Sequence, residues 1–335
     1  MSDLTREMLQ ALDKELRIVF ELYLTPDRKG LRNMLFYHMG WQGEKSGFEA
    51  QGKRIRPLLV MLCTAALGGD WQQALPAAAG VEILHNFTLI HDDVEDESEI
   101  RRGRSTLWKL WGTAQAINAG DALFALVPLA LARLNSQINP TMKLEAAHAL
   151  FEATLDITHG QQLDIFYEDE RHMSLDDYWQ MVGGKTASLL AASTELGAVV
   201  AGVNQTRRDG IRRFGWKLGL AFQALDDLLG IWGDESELGK SVTSDLVSGK
   251  KTLPVVYCLE KKAEFKNRWL AGPIAIQEVP QIAELLEKEG AREYTQTTAD
   301  RLTNEALSAL SEVVEENEAA KVLHQLSFDL LRRNR

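Results

Sequence analysis

QTRRDGIRRFGWKLGLAFQALDDLL, residues 205–229, is the stretch of sequence that determines the expected fold. Its apolar side chains recur at steps of three and four residues, at Ile211, Phe214, Leu218, Ala221 and Leu225. This spacing places them on one side of an α-helix of 3.6 residues per turn. Similar periodicity covers residues 4–24, 57–68, 75–96, 107–134, 142–168, 176–203 and 292–333, whereas no segment shows the sustained alternation of a strand. We therefore predict an all-α fold in which residues 1–335 form a single large domain.

The composition indicates a globular protein in a reducing compartment. Of the 335 residues, 45% are hydrophobic and 25% are charged, so the chain can bury a large core without disulfides or structural metals. Cys63 and Cys258 lie far apart and form no Cys-x-x-Cys pair, which argues against a disulfide framework or a zinc site. We expect a cytoplasmic protein.

Neither membrane insertion nor nucleic-acid binding is expected. The N-terminus, MSDLTREMLQ, lacks the apolar segment of a signal peptide, and no uninterrupted apolar run approaches the ~18 residues that cross a bilayer. The most apolar stretch, Ala122 to Leu134, contains Pro128 and Arg133, and we interpret it as a buried helix. The net charge of −11 does not favour binding to nucleic acid or to an anionic membrane.

The densest charge cluster is DDVEDESE at residues 92–99, which contains six acids and follows the apolar stretch Phe87 to Ile90. On a helix, Asp92 and Asp96 lie one turn apart on the same side, where they repel each other unless a cation lies between them. Carboxylates that leave much of the coordination sphere open suit Mg²⁺, which keeps waters and binds phosphate oxygens. Alone, such a run of acids is also compatible with a solvated helix end.

A second acid pair, Asp226-Asp227, lies near the end of the 205–229 stretch, and the basic segment GKKTLP follows at residues 249–254. Two acid pairs with neighbouring cations indicate several metal ions bound to a polyphosphate. Pyrophosphate is a poor leaving group until its charge is neutralised, and metal ions together with Lys and Arg donors neutralise it.

A third cluster, GKRIRP at residues 52–57, places three cations just before a proline that suits the first turn of a helix. A helix N-terminus beside cations is a natural diphosphate site. A solvated basic turn explains the same residues equally well when the motif is taken alone.

Together these motifs resemble the trans-polyprenyl diphosphate synthase family in their order and spacing. The resemblance rests on DDVED at 92–96, RRGR at 101–104 and DDLLG at 226–230, and it extends from Gly52 to Pro254. It implies an isoprenoid synthase fold with a central active-site cavity. It also implies a homodimeric prenyltransferase that condenses an allylic diphosphate with isopentenyl diphosphate.

The same resemblance implies a role for individual residues. The carboxylates of Asp92 and Asp96 and that of Asp226 would bind three Mg²⁺ ions per active site, supported by Asp93 and Asp227. The fifth position of the second motif is Gly230, where the full family motif has an aspartate, so a ligand role there is in doubt.

The substrate sites follow in the same way. Isopentenyl diphosphate would be bound by Lys53, Arg56, His85 and Arg102, and the allylic diphosphate by Arg101, Lys185, Lys240 and Lys250. The oxygens of Thr186 and Gln223 would face the developing carbocation. Gln161 and Asp164 also match a family motif, although a polar contact between packed helices explains them equally well.

Product length is expected to depend on the residues just before Asp92. In the family, one aromatic residue five positions before this aspartate, here Phe87, with a small residue after it, here Thr88, resembles enzymes that make C20 geranylgeranyl diphosphate. Leu84 and Val81 could equally form the floor of the chain pocket. Farnesyl diphosphate (C15) or a longer product remains an alternative.

Two other classes of protein share parts of this pattern. Terpene cyclases also have a first acid motif, but they usually carry an Asn/Asp-Ser/Thr-Glu pattern in place of Asp226-Asp227 and need no isopentenyl site. Non-catalytic prenyltransferase subunits tend to lose motif residues, whereas the first motif is intact here.

Overall fold

Helices make up nearly all the regular secondary structure of the computed structural model, which describes residues 2–134, 139–233, 244–261 and 264–331. The helices are α1 Asp3–Tyr23, α2 Lys29–His38, α3 Phe48–Gln51, α4 Ile55–Ala66, α5 Leu75–Glu95, α6 Leu107–Trp111, α7 Thr113–Leu131, α8 Pro140–Asp169, α9 Leu175–Val182, α10 Ser188–Ala201, α11 Gln205–Trp232, α12 Ser244–Val247, α13 Leu253–Glu260, α14 Glu264–Leu270, α15 Val279–Lys288, α16 Ala291–Val313 and α17 Glu318–Leu331. Short 3₁₀ turns occur at Pro26–Arg28, Trp71–Ala74 and Ile276–Glu278, and a π-helical turn occupies Gly183–Ala187. The predicted all-α class is confirmed.

The chain divides into two compact units. The first comprises Met1–Leu150, Ser193–Arg208 and Glu315–Leu323, and the second comprises Phe151–Ala192, Asp209–Val314 and His324–Arg335. The first acid motif lies in the first unit and the second acid motif in the second. The single domain expected for residues 1–335 stays a prediction.

The first unit is built around α5, which packs lengthwise along α7 and also contacts α1 and α4. In α1, Met8, Leu12 and Leu16 recur every four residues and are completely buried. At Gly120 of α7, an added Cβ would lie 2.2 Å from Nε2 of His91 on α5. Gly120 therefore leaves room for the imidazole ring of His91 between the two helices.

A short hairpin, which helical periodicity does not predict, follows α5. Strands β1 Ile100–Arg101 and β2 Arg104–Ser105 pair antiparallel around Arg102-Gly103. Both turn residues have positive φ, +52° at Arg102 and +70° at Gly103, which is the conformation of a two-residue type I′ turn. The hairpin thus holds the RRGR motif in a defined shape.

The second unit contains the long helix that the 205–229 periodicity predicts. In α11, Phe214, Leu218 and Ala221 are buried as expected. An apolar cluster joins Ile231, near the end of α11, to Val255 and Leu259 of α13 and Phe265 of α14. These contacts position the segment after residue 244 beside the end of α11.

Two predicted helical segments are interrupted. The segment at 107–134 breaks at Gly112, whose φ of +83° lies in the left-handed region. The segment at 292–333 breaks after Val313, because Val314 adopts an extended conformation. In both cases the apolar periodicity continues across the break, so periodicity alone does not reveal the break.

One described helix, α7, is long and apolar enough by length and composition to cross a membrane, a test that buried core helices also pass. Gln115, Asn118 and Asp121 interrupt its apolar residues, so it contains no uninterrupted apolar run of that length. Its Leu123 and Val127 are completely buried. The interpretation of this region as a packed helix agrees with that burial.

Candidate active site

The first acid motif lies at the C-terminal end of α5. Asp92 and Asp93 are in its last turn and Asp96 is its C-cap, whose backbone N–H donates to the carbonyl oxygen of Asp92 at 2.8 Å. Asp96 is exposed, Asp92 is half-buried, and the carboxylate of Asp93 is only 3% exposed. The predicted spacing of Asp92 and Asp96, one turn apart, is confirmed.

Arg101, on the hairpin, binds the acids at the end of α5. Its Nη2 donates to Oδ2 of Asp92 at 3.0 Å and its Nε donates to Oδ1 of Asp93 at 2.6 Å. Burial raises the pKa of the Asp93 carboxyl, although the charge of Arg101 opposes that rise. The guanidinium thus binds one oxygen of Asp93 and one oxygen of Asp92, and Asp92 and Asp96 keep solvent-accessible surface.

These acids suit Mg²⁺ bound together with a phosphate better than a cage made by protein alone. Within the described ranges, no three His, Cys, Asp or Glu side chains are grouped closely enough to hold a metal ion by themselves. Mg²⁺ characteristically binds one or two carboxylates and completes its octahedron with waters and substrate phosphates. Asp92 and Asp96 provide such an incomplete carboxylate set.

A basic cluster surrounds the turn between α3 and α4 in the same unit. Nη1 of Arg102 donates to the carbonyl oxygen of Ala50 at 3.1 Å. A Cβ built on Gly52 would lie only 2.6 Å from the guanidinium carbon of Arg102. Gly52 therefore has to be glycine for Arg102 to dock. Lys53, next in the chain, is exposed, while Arg54 is buried and pairs with Asp13 at 3.0 Å. Arg54 is thus a structural cation.

His85 and Arg56 join this cluster. Nη1 of Arg56 lies 3.3 Å from Nε2 of His85. Because arginine can only donate, Nε2 must accept, and the imidazole proton resides on Nδ1. Burial and the neighbouring charges of Arg56 and Arg102 hold the pKa of His85 well below its usual value, so the ring is neutral at pH 7.

In the second unit, Lys185 and Thr186 lie on the π-helical turn between α9 and α10. Nζ of Lys185 forms an ion pair with Oδ2 of Asp164 on α8. The two segments touch through backbone, since a Cβ on Gly160 would lie 2.1 Å from the backbone nitrogen of Lys185. π-Turns inside helices frequently occur at functional sites. Asp164 therefore has a direct polar contact with a predicted catalytic residue.

Asp227 is the centre of a buried hydrogen-bond network. Its Oδ2 accepts from the Tyr178 hydroxyl at 2.6 Å and from the backbone N–H of Leu253 at 2.7 Å, and its Oδ1 accepts from Nε2 of Gln223 at 2.8 Å. Oε1 of Gln223 accepts in turn from the Thr186 hydroxyl at 3.0 Å. Burial raises the pKa of Asp227 to about 6, although its three hydrogen bonds oppose that rise. Both Asp227 oxygens are engaged, whereas Asp226 is exposed.

At Gly230, where the full family motif has an aspartate, a carboxylate from another segment lies close by. A Cβ built on Gly230 would lie 2.5 Å from Oδ2 of Asp245, so the carboxylate of Asp245 fills this place.

Lys250 lines one cavity together with Lys185 and other residues of the Asp227 hydrogen-bond network. Burial alone would lower the pKa of Lys250, but Asp245 and Asp227 raise it. Lys240 lies outside the described residues.

Nearly the whole chain is similar to known prenyl diphosphate synthases. The (2E,6E)-farnesyl diphosphate synthase of Mycobacterium bovis is 38% identical over 313 residues, which cover 90% of this chain and 86% of that protein. The geranylgeranyl diphosphate synthase of Mycobacterium tuberculosis is 37% identical over 320 residues, or 93% and 91% of the two chains. A solved structure of geranylgeranyl pyrophosphate synthetase from Pyrococcus horikoshii has a TM-score of 0.90 at 31% identity and covers 98% of this chain and 97% of that chain.

A model of the Polyprenyl synthetase family matches residues 45–286. The chain belongs to the polyprenyl synthetase family. The predicted family and isoprenoid synthase fold are thereby confirmed, and so is the class of enzyme, a trans-prenyl diphosphate synthase. Its relatives include both farnesyl and geranylgeranyl diphosphate synthases, so the product length is not decided by family membership.

In this polyprenyl synthetase, the residues predicted to set chain length lie on α5. The ring of Phe87 contacts His91 and Phe124, with centroid separations of 4.8 Å and 5.2 Å. The Thr88 hydroxyl donates to the carbonyl of His85 at 2.8 Å, so its short side chain folds back on its own helix. Leu84 is completely buried one turn below.

Several residues of the site were missed by sequence reasoning. His38 lines a cavity with Asp93 and Arg101, and burial together with nearby arginine charges lowers its pKa to about 3. Glu82 is buried one turn before His85 and accepts a hydrogen bond from Asn86 at 3.0 Å. No local motif signals either residue. In contrast, Lys185 and Thr186 of the GGKT sequence at 183–186 were predicted, but the nearby Tyr178 was not.

Proposed function

We propose that this trans-prenyl diphosphate synthase condenses an allylic diphosphate with isopentenyl diphosphate and releases geranylgeranyl diphosphate as its main product. The observation that carries the C20 product is the pair before the first acid motif. Phe87 is the one aromatic side chain of that pair, and Thr88 occupies little space because its hydroxyl bonds to its own helix.

Lys53, Arg56, His85 and Arg102 are the residues we assign to the diphosphate of isopentenyl diphosphate. The neutral His85 and the docked Arg102 support this assignment, because a fixed guanidinium with several donors recognises phosphate oxygens well. We assign Arg101, Lys185, Lys240 and Lys250 to the allylic diphosphate. The shared cavity of Lys185 and Lys250 supports this second assignment.

The reaction begins when the allylic C1–O bond breaks and its electron pair leaves with pyrophosphate. Mg²⁺, proposed as three ions held by Asp92, Asp96 and Asp226, would neutralise the charge of that leaving group. Lys185 adds a fixed positive charge at the same phosphates. The oxygens of Thr186 and Gln223 supply neutral dipoles for the carbocation, because a carboxylate would capture it.

Chain growth follows without a side-chain nucleophile. The double bond of isopentenyl diphosphate donates its electron pair to C1, and a carbon–carbon bond forms. A proton then leaves the new cation for the departing pyrophosphate, and the double bond is restored. The apolar tail of the product lengthens by five carbons per cycle until it reaches Phe87.

Farnesyl diphosphate is the second candidate product, because relatives of similar identity include farnesyl diphosphate synthases. The deciding experiment incubates purified enzyme with Mg²⁺, isopentenyl diphosphate and each allylic starter in turn (dimethylallyl, geranyl and farnesyl diphosphate), and identifies products by mass spectrometry. We expect C20 from all three starters. Accumulation of C15 without consumption of added farnesyl diphosphate would replace C20 with C15 in this proposal.

We further propose a cytoplasmic homodimer. Helices α6 and α7 of the first unit expose four large apolar side chains, each between 37% and 48% exposed: Leu110, Trp111, Ile117 and Phe124. A second copy of the chain would cover this apolar surface. Light scattering after size exclusion should give twice the 37.5 kDa chain mass, and Ile117→Glu should give the chain mass alone. The unpaired, buried thiols of Cys63 and Cys258 are compatible with a reducing cytoplasm.

A further inference from the structure

Tyr178 is a large polar side chain that the proposed reaction does not use. It lies on α9, is 1% exposed, and points its hydroxyl at Oδ2 of Asp227 over 2.6 Å. Burying a phenol requires a hydrogen-bond partner, which Asp227 provides. A phenylalanine would fill the same space without needing a hydrogen-bond partner, so packing alone does not account for the hydroxyl of Tyr178.

The acceptor capacity of Asp227 determines which groups can face its carboxylate. An ionised carboxylate only accepts hydrogen bonds, so every group facing it must donate. Tyr178 and the backbone N–H of Leu253 both donate to Oδ2, which leaves Oδ1 for the side chain of Gln223 one turn earlier on α11. Two donors from two other segments, α9 and the start of α13, therefore set the rotation of the carboxylate.

The orientation of Gln223 follows from the same rule. Because Oδ1 can only accept, the amide must turn its Nε2 towards Asp227, and its Oε1 then lies towards Thr186. The Thr186 hydroxyl uses its proton in the 3.0 Å bond to Oε1, so its lone pairs remain available on its other side. Reversing the amide would present N–H groups where the network presents oxygens.

We propose that Tyr178 is a positioning residue of the condensation: through Asp227 it fixes the side-chain amide of Gln223 with its oxygen towards Thr186. This inference rests on the proposed function, since it assigns Gln223 and Thr186 to the carbocation. A wrongly turned amide would place positive N–H dipoles near a cation and raise the barrier to ionisation.

The kinetic test is Tyr178→Phe, which keeps the ring and removes the hydroxyl. We expect kcat to fall about tenfold, or ~1.4 kcal/mol, while the KM for isopentenyl diphosphate changes less than about threefold, since no group assigned to that substrate is altered. Tyr294→Phe is the matched control. Tyr294 lies in the same unit and stacks on Tyr257 at 4.1 Å. It takes no part in the hydrogen bonds that join Tyr178, Asp227, Gln223 and Thr186, so kcat of Tyr294→Phe should stay at the wild-type value.

A double-mutant cycle separates positioning from general stabilisation. In the Gln223→Leu background the amide is absent, so adding Tyr178→Phe should change kcat less than twofold. If Tyr178→Phe costs the same factor in both backgrounds, Tyr178 does not act through Gln223 and the inference is wrong. Circular dichroism and thermal melting of each variant show that kcat is compared between folded enzymes.

A substrate-free measurement makes the inference independent of the proposed reaction. In enzyme labelled with [¹⁵N]glutamine, the side-chain amide signals of Gln223 are assigned by their loss in Gln223→Leu. Tyr178→Phe should shift or broaden these signals, whereas Tyr294→Phe should leave them unchanged. Unchanged Gln223 signals in Tyr178→Phe would overturn the positioning role. Absence of condensation by the wild-type enzyme would overturn the proposed function instead.

Discussion

Replacing Phe87 by alanine tests the proposed product length most directly. With a rise of about 1.5 Å per residue, Thr88 lies about 6 Å below Asp92 along α5, Phe87 about 7.5 Å and Leu84 about 12 Å. If the tail stops at Phe87, removing its ring lowers the floor to Leu84, about 4.5 Å deeper. This distance is close to the length of one five-carbon unit, so Phe87→Ala should extend the main product from C20 to C25 or longer.

The assay is mass spectrometry of products made from farnesyl and isopentenyl diphosphates. Phe87→Ala also removes ring contacts with His91 and Phe124, each worth ~0.5–1.5 kcal/mol, so its melting temperature should fall as well. Phe36→Ala is the matched control, because Phe36 belongs to another half-buried aromatic cluster, with Trp41 at 5.2 Å. It should destabilise the protein without changing product length. An unchanged product distribution in Phe87→Ala would show that Phe87 only packs α5 against α7.

Three further predictions concern the charged groups. Asp92→Ala should lower kcat by several orders of magnitude with helical content unchanged, and a variant that keeps more than about a tenth of wild-type kcat, a loss of only ~1.4 kcal/mol, would contradict its metal role. Lys53→Ala should raise the KM for isopentenyl diphosphate more than that for the allylic substrate, and Lys185→Ala should do the reverse; equal effects in steady-state kinetics would refute this division. Burial lowers the pKa of His38 to about 3, so an unfolded chain takes up a proton below pH 6.5 that the folded chain does not. Wild-type stability should therefore fall between pH 6.5 and 4, and His38→Gln should reduce that slope by ~1.4 kcal/mol per pH unit in urea titrations; identical slopes would show that His38 does not titrate in this way.

The helices and the position of the first acid motif could be predicted from local sequence. Spacing alone placed Asp92 and Asp96 one turn apart, and α5 ends at Glu95, within the acid cluster. The same spacing predicted buried Phe214 and Leu218 on α11. Both results depend only on the 3.6-residue repeat, which every helix shares.

The functions of the second acid in each pair could not be predicted in this way. Asp93 and Asp227 look equivalent to their neighbours in the sequence, yet both are buried and bound by donors from elsewhere. Arg101 reaches Asp93 from a hairpin, and Tyr178 reaches Asp227 across 49 positions of the chain. Such contacts depend on tertiary packing, which no local spacing encodes. The direct metal roles assigned to these two acids stay predictions.

The contact between Gly160 and the π-turn has a consequence for how this enzyme can change over time. Most helix crossings are made by side chains, so a larger residue on one helix can be accommodated by a smaller one on the other. Here the backbone of α8 meets the backbone of the turn: a Cβ on Gly160 would lie 2.1 Å from the nitrogen of Lys185, and one on Gly184 would lie 2.5 Å from the carbonyl oxygen of Asp156. The atoms that each Cβ would meet belong to the backbone, so shortening a side chain on the facing segment would not relieve the contact. A larger residue at either glycine therefore cannot be accommodated by a smaller side chain across the crossing, and only a shift of the backbone itself would make room for it.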